Sequence, residues 1–217
     1  MNDSNLVGTL TLILGGVRSG KSRFGQELAL ELGGEDVLFV ATAESQDEEM
    51  ARRIDKHRRS RPIAWKTLEQ PLKTGTAIAT AIAEYDNLPS VVLVDCLTLL
   101  VTNVLLENET NLNASDATSS IENRMLAEID DLVRIAASRN THMIVVSGEV
   151  GMGLVPETAL GRLFRDMLGW SNQRIAARAS STYFMVAGMP IKVSELTRSV
   201  QHAAQELNSN RECGTIK

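Results

Sequence analysis

Cysteine is scarce in this chain, with only Cys96 and Cys213 among 217 residues. Two thiols so far apart supply neither the pairing density of a secreted disulfide scaffold nor the spacing of a zinc site, so a reducing cytoplasm is the expected setting. Positive charge is short as well: 22 Lys and Arg stand against 27 Asp and Glu, a net charge of −5. That balance argues against a general nucleic-acid binder, which needs a positive surface to displace counterions from phosphates. No segment approaches the run of about 18 apolar residues that a membrane span requires. The opening MNDSNLVGT has no basic stretch followed by an apolar one, and the chain is expected to be neither exported nor membrane-spanning. There is also no internal repeat.

What is present is an apolar fraction of 43%, enough for one substantial core at this length. A single domain over 1–217 is therefore expected, with 1–9 and about 194–217 as peripheral extensions. Five Val/Ile/Leu-rich runs read as buried strands: Thr9 to Gly16, Asp36 to Ala43, Ser90 to Cys96, His142 to Gly148 and Ser181 to Gly188. They do not alternate apolar with polar, which fits strands covered on both faces. Helical patterns fall between them at 22–32, 47–59, 72–84, 97–107, 117–139 and 158–178. The expected class is α/β: a P-loop NTPase-type, doubly wound, mostly parallel sheet. The polar stretch Glu107 to Ser120 reads as a surface loop. TRSVQHAAQEL reads as a short amphipathic helix leading into a fraying tail.

The first strand runs directly into GGVRSGKS, which satisfies GxxxxGK[ST] with Gly15, Gly20, Lys21 and Ser22. Between a strand and a helix this turn cradles a triphosphate, because its backbone N–H groups and the helix N-terminus point at the phosphates. The binding turn is Gly15, Gly16, Val17, Arg18, Ser19, Gly20, Lys21 and Ser22. Lys21 is expected to reach the β- and γ-phosphates, and Ser22 to hold Mg²⁺. A second oxygen ligand is expected from Asp95, which leaves the apolar VVLVD at the sheet edge; the alternative is that Asp95 caps the next helix. Glu149 leaves another strand at the equivalent end.

The segment DEEMARRIDKHRRSRP, Asp47 to Pro62, can be read blandly as a solvated helix whose charges suit its dipole. Yet Arg52, Arg53, Lys56, Arg58, Arg59 and Arg61 crowd around His57 in an otherwise acidic protein. Such a cluster attracts polyphosphate. Its cations disfavour imidazolium and leave a neutral nitrogen able to attack phosphorus.

With these residues in view, the chain resembles the bifunctional adenosylcobinamide kinase/adenosylcobinamide-phosphate guanylyltransferase family of cobalamin biosynthesis. The resemblance runs from Leu10 to about Val193. It is carried by GGVRSGKSR, VATA, DEEMARRIDKHRRSRP with Trp65, Thr67 and Glu69, VDCLTLLVTN, EVGMGLVPE, FRDMLGWSNQRIA and VAGMPIKV. It implies two reactions at one site: phosphorylation of adenosylcobinamide by ATP or GTP, then transfer of GMP from GTP to adenosylcobinamide phosphate through a GMP–histidine intermediate. The implied nucleophile is His57, with Lys21 the other catalytic residue. The implied nucleotide contacts are the P-loop, Thr42, Ala43, Arg58, Arg59, Ser60, Arg61, Glu69 and Asp95. The chain has no N-K-x-D run for reading guanine; a carboxylate such as Glu69 can accept from guanine N1–H and N2–H₂. Mg²⁺, held by Ser22 and Asp95, is the expected cofactor, and the resemblance implies a homo-oligomer with a trimer as the candidate assembly.

Two other readings use the same P-loop. One is a small-molecule or nucleotide kinase in which His57 has no covalent role, and the other is a non-enzymatic, nucleotide-dependent regulatory protein. His142 and His202 read as structural or solvated, and Cys96 as a small core residue.

Overall fold

The computed structural model describes residues 8–44, 48, 52, 58, 61–85, 87–107, 117–138 and 141–196. In chain order its elements are β1 (Leu10–Gly15), α1 (Lys21–Gly33), β2 (Val37–Ala41), β3 (Lys66–Glu69), α2 (Thr74–Ala83), β4 (Val91–Asp95), α3 (Leu97–Glu107), α4 (Ala117–Ser138), β5 (His142–Val146), α5 (Ala159–Ala176), β6 (Ser181–Val186) and β7 (Met189–Lys192). The short 3₁₀ turn Val193–Glu195 follows. The strands form one sheet in the order β3-β2-β4-β5-β1-β6-β7. Every neighbouring pair is parallel except β6 with β7.

All five expected strands form, but the sheet has seven, so the strand count from sequence is corrected. The two additions lie at its edges. β3 reads KTLE and is mostly exposed, so it has no continuous apolar run to betray it. β7 reads MPIK; Pro190 lacks an N–H and is tolerated on an outer strand, where one side of the ladder is unused. The helix expected at 117–139 is α4, which takes in the end of the polar stretch Glu107 to Ser120. The expected helix at 47–59, the middle of that polar stretch and the C-terminal helix with His202 fall largely or wholly outside the described residues.

Alternate residues of the central strands point to opposite faces, as the period of two requires. Leu12, Val40, Val92, Val94 and Val145 pack against Ile78 and Ile82 of α2, Leu97, Leu100, Val101 and Val104 of α3, Ile121, Met125 and Ile129 of α4, and Met167, Leu168 and Ile175 of α5. Ile13, Phe39, Leu93, Ile144 and Val146 face the other way, onto Ala29, Phe24 and Leu28 of α1 and onto Trp65. Small residues let α1 sit close: Gly25 and Ala29 are buried against the sheet. A methyl at Gly25 would come within 3.0 Å of Val146 Cγ2.

Register aligns the strand ends in one row, Glu69, Ala41, Asp95, Val146, Ile13 and Tyr183. The carboxyl edge of the parallel strands therefore collects the P-loop, Asp95 and Glu69 on one rim. At the opposite rim His142 Nδ1 lies 2.5 Å from Thr9 Oγ1, a structural bond at the start of two adjacent strands. No helix among the described residues is long and apolar enough to cross a membrane.

Candidate active site

The P-loop is closed by its own backbone and by β6–β7. Gly20 has φ 97°, a left-handed conformation that side chains resist, and a methyl there would lie 3.2 Å from Gly188 Cα. The Gly188 N–H donates to Ser19 O at 2.9 Å, which pins the turn. At Gly15 a methyl would come within 2.7 Å of Met185 O, so the backbone passes too close for any side chain. The Phe24 N–H makes an opening bond of α1 with Gly20 O at 2.9 Å, so the N–H groups of the first helical turn face the anion position, while the Ser19 N–H donates to Gly16 O at 3.3 Å within the loop. Val17 and Arg18 are exposed, whereas Ser19 is buried and its hydroxyl has no partner among the described residues.

Lys21 Nζ donates to Gly16 O at 2.6 Å, arching back over the loop. Burial lowers its pKa below the usual lysine value, while Cys96 and Asp95 work against that shift. A partly desolvated ammonium over an anion cradle is poised to gain from a phosphate neighbour. The Ser22 hydroxyl donates to Asp95 Oδ1 at 3.2 Å, so the two expected metal ligands meet across the gap between α1 and β4. A hydroxyl and a carboxylate beside a phosphate site form a hard-oxygen set that suits Mg²⁺, which keeps waters and substrate oxygens as its other ligands.

Thr42 is fully buried, and its hydroxyl is engaged on both sides of one residue. It donates to Cys96 O at 2.6 Å and accepts from the Cys96 N–H at 2.9 Å. Asn103 Nδ2 in turn donates to Thr42 O (2.8 Å) and Pro71 O (3.0 Å), tying the β2 exit to α3. Ala43, next in line, is half-buried. The Cys96 thiol is pushed up to about 11 by burial and then by the Asp95 charge, which keeps it protonated and unreactive near neutrality.

Arg58 and Arg61 stand on the β2–β3 side of this rim. Arg58 Nη2 donates to Glu69 Oε1 at 2.5 Å. Both side chains are more than half exposed, so the pair is worth only about 0.2–1 kcal/mol to the fold and serves better to hold Glu69 in place. The Arg61 N–H donates to Arg58 O at 3.4 Å, and the Arg61 guanidinium stacks 3.5 Å above the Phe39 ring. Burial depresses Arg61, with Asp95 opposing the shift, Arg58 adding to it and Glu69 opposing it. Those four side chains therefore share one electrostatic neighbourhood. Arg61 also borders a cleft of about 470 Å³ walled by Arg23, Gln26, Leu30, Pro62 and Trp65. Trp65 is buried, with its indole N–H donating to Gly34 O at 2.9 Å. His57, Arg59 and Ser60 lie outside the described residues.

Several supports were given no individual role by the sequence, although Thr98 and Asn172 fall within the quoted motifs. Ser147 Oγ donates to Asn172 Oδ1 (2.6 Å), Asn172 Nδ2 donates to Gly148 O (3.0 Å), and the Gly148 N–H donates to Thr98 Oγ1 (2.6 Å). These bonds fix the exit of β5. A buried Asn in an amphipathic helix is the one available hint, since burial of an amide demands partners.

Fold and rim together define a P-loop α/β protein of the nucleotide-binding class, with Lys21, Ser22, Asp95, Arg58 and Glu69 on a single edge. The chain belongs to the cobinamide kinase / cobinamide phosphate guanyltransferase family, whose profile matches residues 11–193. It is 41% identical over 180 residues to the bifunctional adenosylcobalamin biosynthesis protein CobP of Pseudomonas aeruginosa, covering 83% of this chain and 94% of that protein. The bifunctional adenosylcobalamin biosynthesis protein CobU is 36% identical over 185 residues in Escherichia coli and 37% over 186 in Salmonella typhimurium. Each alignment covers 85% of this chain and 99% of the relative.

Proposed function

We propose that this protein phosphorylates adenosylcobinamide and then transfers GMP from GTP to the resulting phosphate, giving adenosylcobinamide-GDP. One observation carries the reading: membership of the cobinamide kinase / cobinamide phosphate guanyltransferase family across residues 11–193. The rim geometry supports it, because Lys21, Ser22 with Asp95, and Arg58 with Glu69 and Arg61 adjoin a single triphosphate cradle. Lys21 and the P-loop N–H groups hold the phosphates and stabilise charge as a phosphoryl group moves. Ser22 and Asp95 would hold Mg²⁺, which when bound neutralises charge on the phosphate oxygens. Thr42 is spent on Cys96, so its part is to shape the β2 exit, while Ala43 lies beside the nucleotide. Glu69, steadied by Arg58, accepts from the guanine edge.

For the second reaction the His57 imidazole attacks the α-phosphorus of GTP, pyrophosphate leaves, and the adenosylcobinamide phosphate oxygen then displaces the imidazole. Arg58, Arg59, Ser60 and Arg61, next in sequence, surround the phosphates of that nucleotide. The setting is cytoplasmic and the working assembly a homo-oligomer, with a trimer as the candidate.

The test is incubation with α-labelled GTP followed by denaturation and peptide mapping. The expected result is an acid-labile, base-stable GMP label on the peptide containing His57, lost in His57→Ala while phosphorylation of adenosylcobinamide survives. A label that persists in that variant moves the nucleophile elsewhere, with Lys56 first to examine. Absence of any label in the native protein returns it to the simple P-loop kinases.

A further inference from the structure

Glu149 takes no part in the site as assembled above, yet its position is unusual. β5 is seated between β1 and β4, so the chain leaving it emerges between the P-loop and Asp95. The Glu149 N–H donates to Gly15 O at 3.0 Å, stitching its backbone to the first P-loop residue. The segment is held on both sides. Thr98 and Asn172 grip Gly148, and Arg165 Nη2 donates to Gly151 O at 2.6 Å. The carboxylate itself is oriented by the Gly151 N–H, which donates to Glu149 Oε1 at 2.5 Å.

The other carboxylates of this rim are occupied: Asp95 Oδ1 accepts from Ser22, and Glu69 Oε1 is paired with Arg58. Glu149 forms no ion pair with a cation among the described residues. A half-buried carboxylate held by a backbone N–H and without a cation is free to accept a proton from a bound alcohol.

We propose that Glu149 is the general base of the kinase step, a role that rests on the function proposed above. The alcohol of the acceptor gives its proton to the Glu149 carboxylate as its oxygen bonds to the γ-phosphorus. The bond from that phosphorus to the β,γ-bridging oxygen breaks, and the electron pair leaves with the nucleoside diphosphate. Guanylyl transfer makes no such demand, since its acceptor is already a phosphate anion with no proton to remove. One site therefore divides its labour: Glu149 serves the alcohol and His57 serves the nucleotide.

The experiment uses the full chain and assays each step separately, with adenosylcobinamide for phosphorylation and preformed adenosylcobinamide phosphate for GMP transfer. Glu149→Gln keeps an oxygen for the Gly151 N–H and removes only the basicity. Its kcat for phosphorylation is expected to fall about 10²–10⁴-fold with a nearly unchanged acceptor KM. GMP labelling and GMP transfer are expected to stay within about twofold, a far smaller change than the loss of a base. Gly151→Ala provides a second test, because its methyl would lie 2.9 Å from Glu149 Oε1 and displace a flexible carboxylate rather than backbone. It should slow phosphorylation selectively as well.

Phosphorylation by Glu149→Gln at the native rate overturns the proposal. Equal loss of both steps overturns it too, by making Glu149 a support of the P-loop. Native protein that labels with GMP yet shows no phosphorylation would also remove the base while leaving the transferase reading intact; absence of both reactions would end the reading itself.

Discussion

The two faces of the sheet are built differently. One is closed by α2, α3, α4 and α5, with buried Ile78, Leu100, Val104, Ile129 and Leu168 pressed onto Leu12, Val40 and Val94. The other carries α1 and Trp65 among the described residues, and it is here that the cleft bordered by Arg61 opens. The thick face carries most of the buried apolar core, while the carboxyl rim brings Lys21, Ser22, Asp95, Arg58, Arg61 and Glu69 together around the P-loop. Stability and chemistry are thus separable, and substitutions should report one or the other.

The largest effect is expected at Lys21. Lys21→Ala removes a half-buried ammonium from the phosphate cradle, and both phosphorylation and GMP transfer should fall by about 10³-fold or more. The melting temperature should barely move, because that charge is itself disfavoured by burial. Retention of either activity would break the one-site reading. Asp95→Asn comes next, with an expected loss of about 10²-fold in both steps at a set Mg²⁺ concentration, the order seen when one charge-stabilising group is lost. A Mg²⁺ titration of rate separates the roles: a shifted requirement marks a ligand, whereas a lost fold by circular dichroism marks a structural cap.

Ile78→Ala probes the thick face. Its side chain is fully buried between α2 and the sheet, so the change should cost about 2–5 kcal/mol in urea unfolding. Turnover per folded molecule should be unaltered; a selective loss of one activity would blur the division between the faces.

The smallest effect concerns Glu128 of α4, which caps α2 from outside by accepting the Lys73 N–H (2.6 Å) and the Thr74 N–H (3.0 Å). Burial raises its pKa, opposed by those two bonds and by Arg124, with Asp131 adding to the rise. A carboxyl whose folded pKa lies above its unfolded one contributes stability below the unfolded value and loses it as pH rises through the folded value. The contribution of this group should therefore decline from the ordinary carboxylate range upward. Glu128→Gln should flatten that part of the curve in denaturant midpoints taken from pH 4 to 8. An unchanged slope would assign it to other groups.

The central strands were legible because Val91 to Val94 or Met143 to Val146 must be apolar on both faces, a demand that leaves a continuous run in the sequence. β3 and β7 were not, since an edge strand such as KTLE or MPIK is fixed by hydrogen bonds to a neighbour and not by its own side chains. Likewise GGVRSGKS announced its turn, and Asp95 its place at a strand end. Gly188, Asn172 and Arg165 lay within quoted motifs, but their roles were not legible there, because each acts through a partner distant in sequence.

The sequence by itself pointed to the ligand class, through a glycine turn of the spacing a phosphate cradle uses, and to the family, through several motifs in a set order. Only the tertiary structure decided which charges meet. The order β4-β5-β1 brings Asp95, the Glu149 segment and the P-loop side by side, and the register of β3 carries Glu69 to the same rim. Strand order is chosen by how helices and strands bury their apolar faces against one another, and that choice is made by the packed whole rather than by any local run of residues.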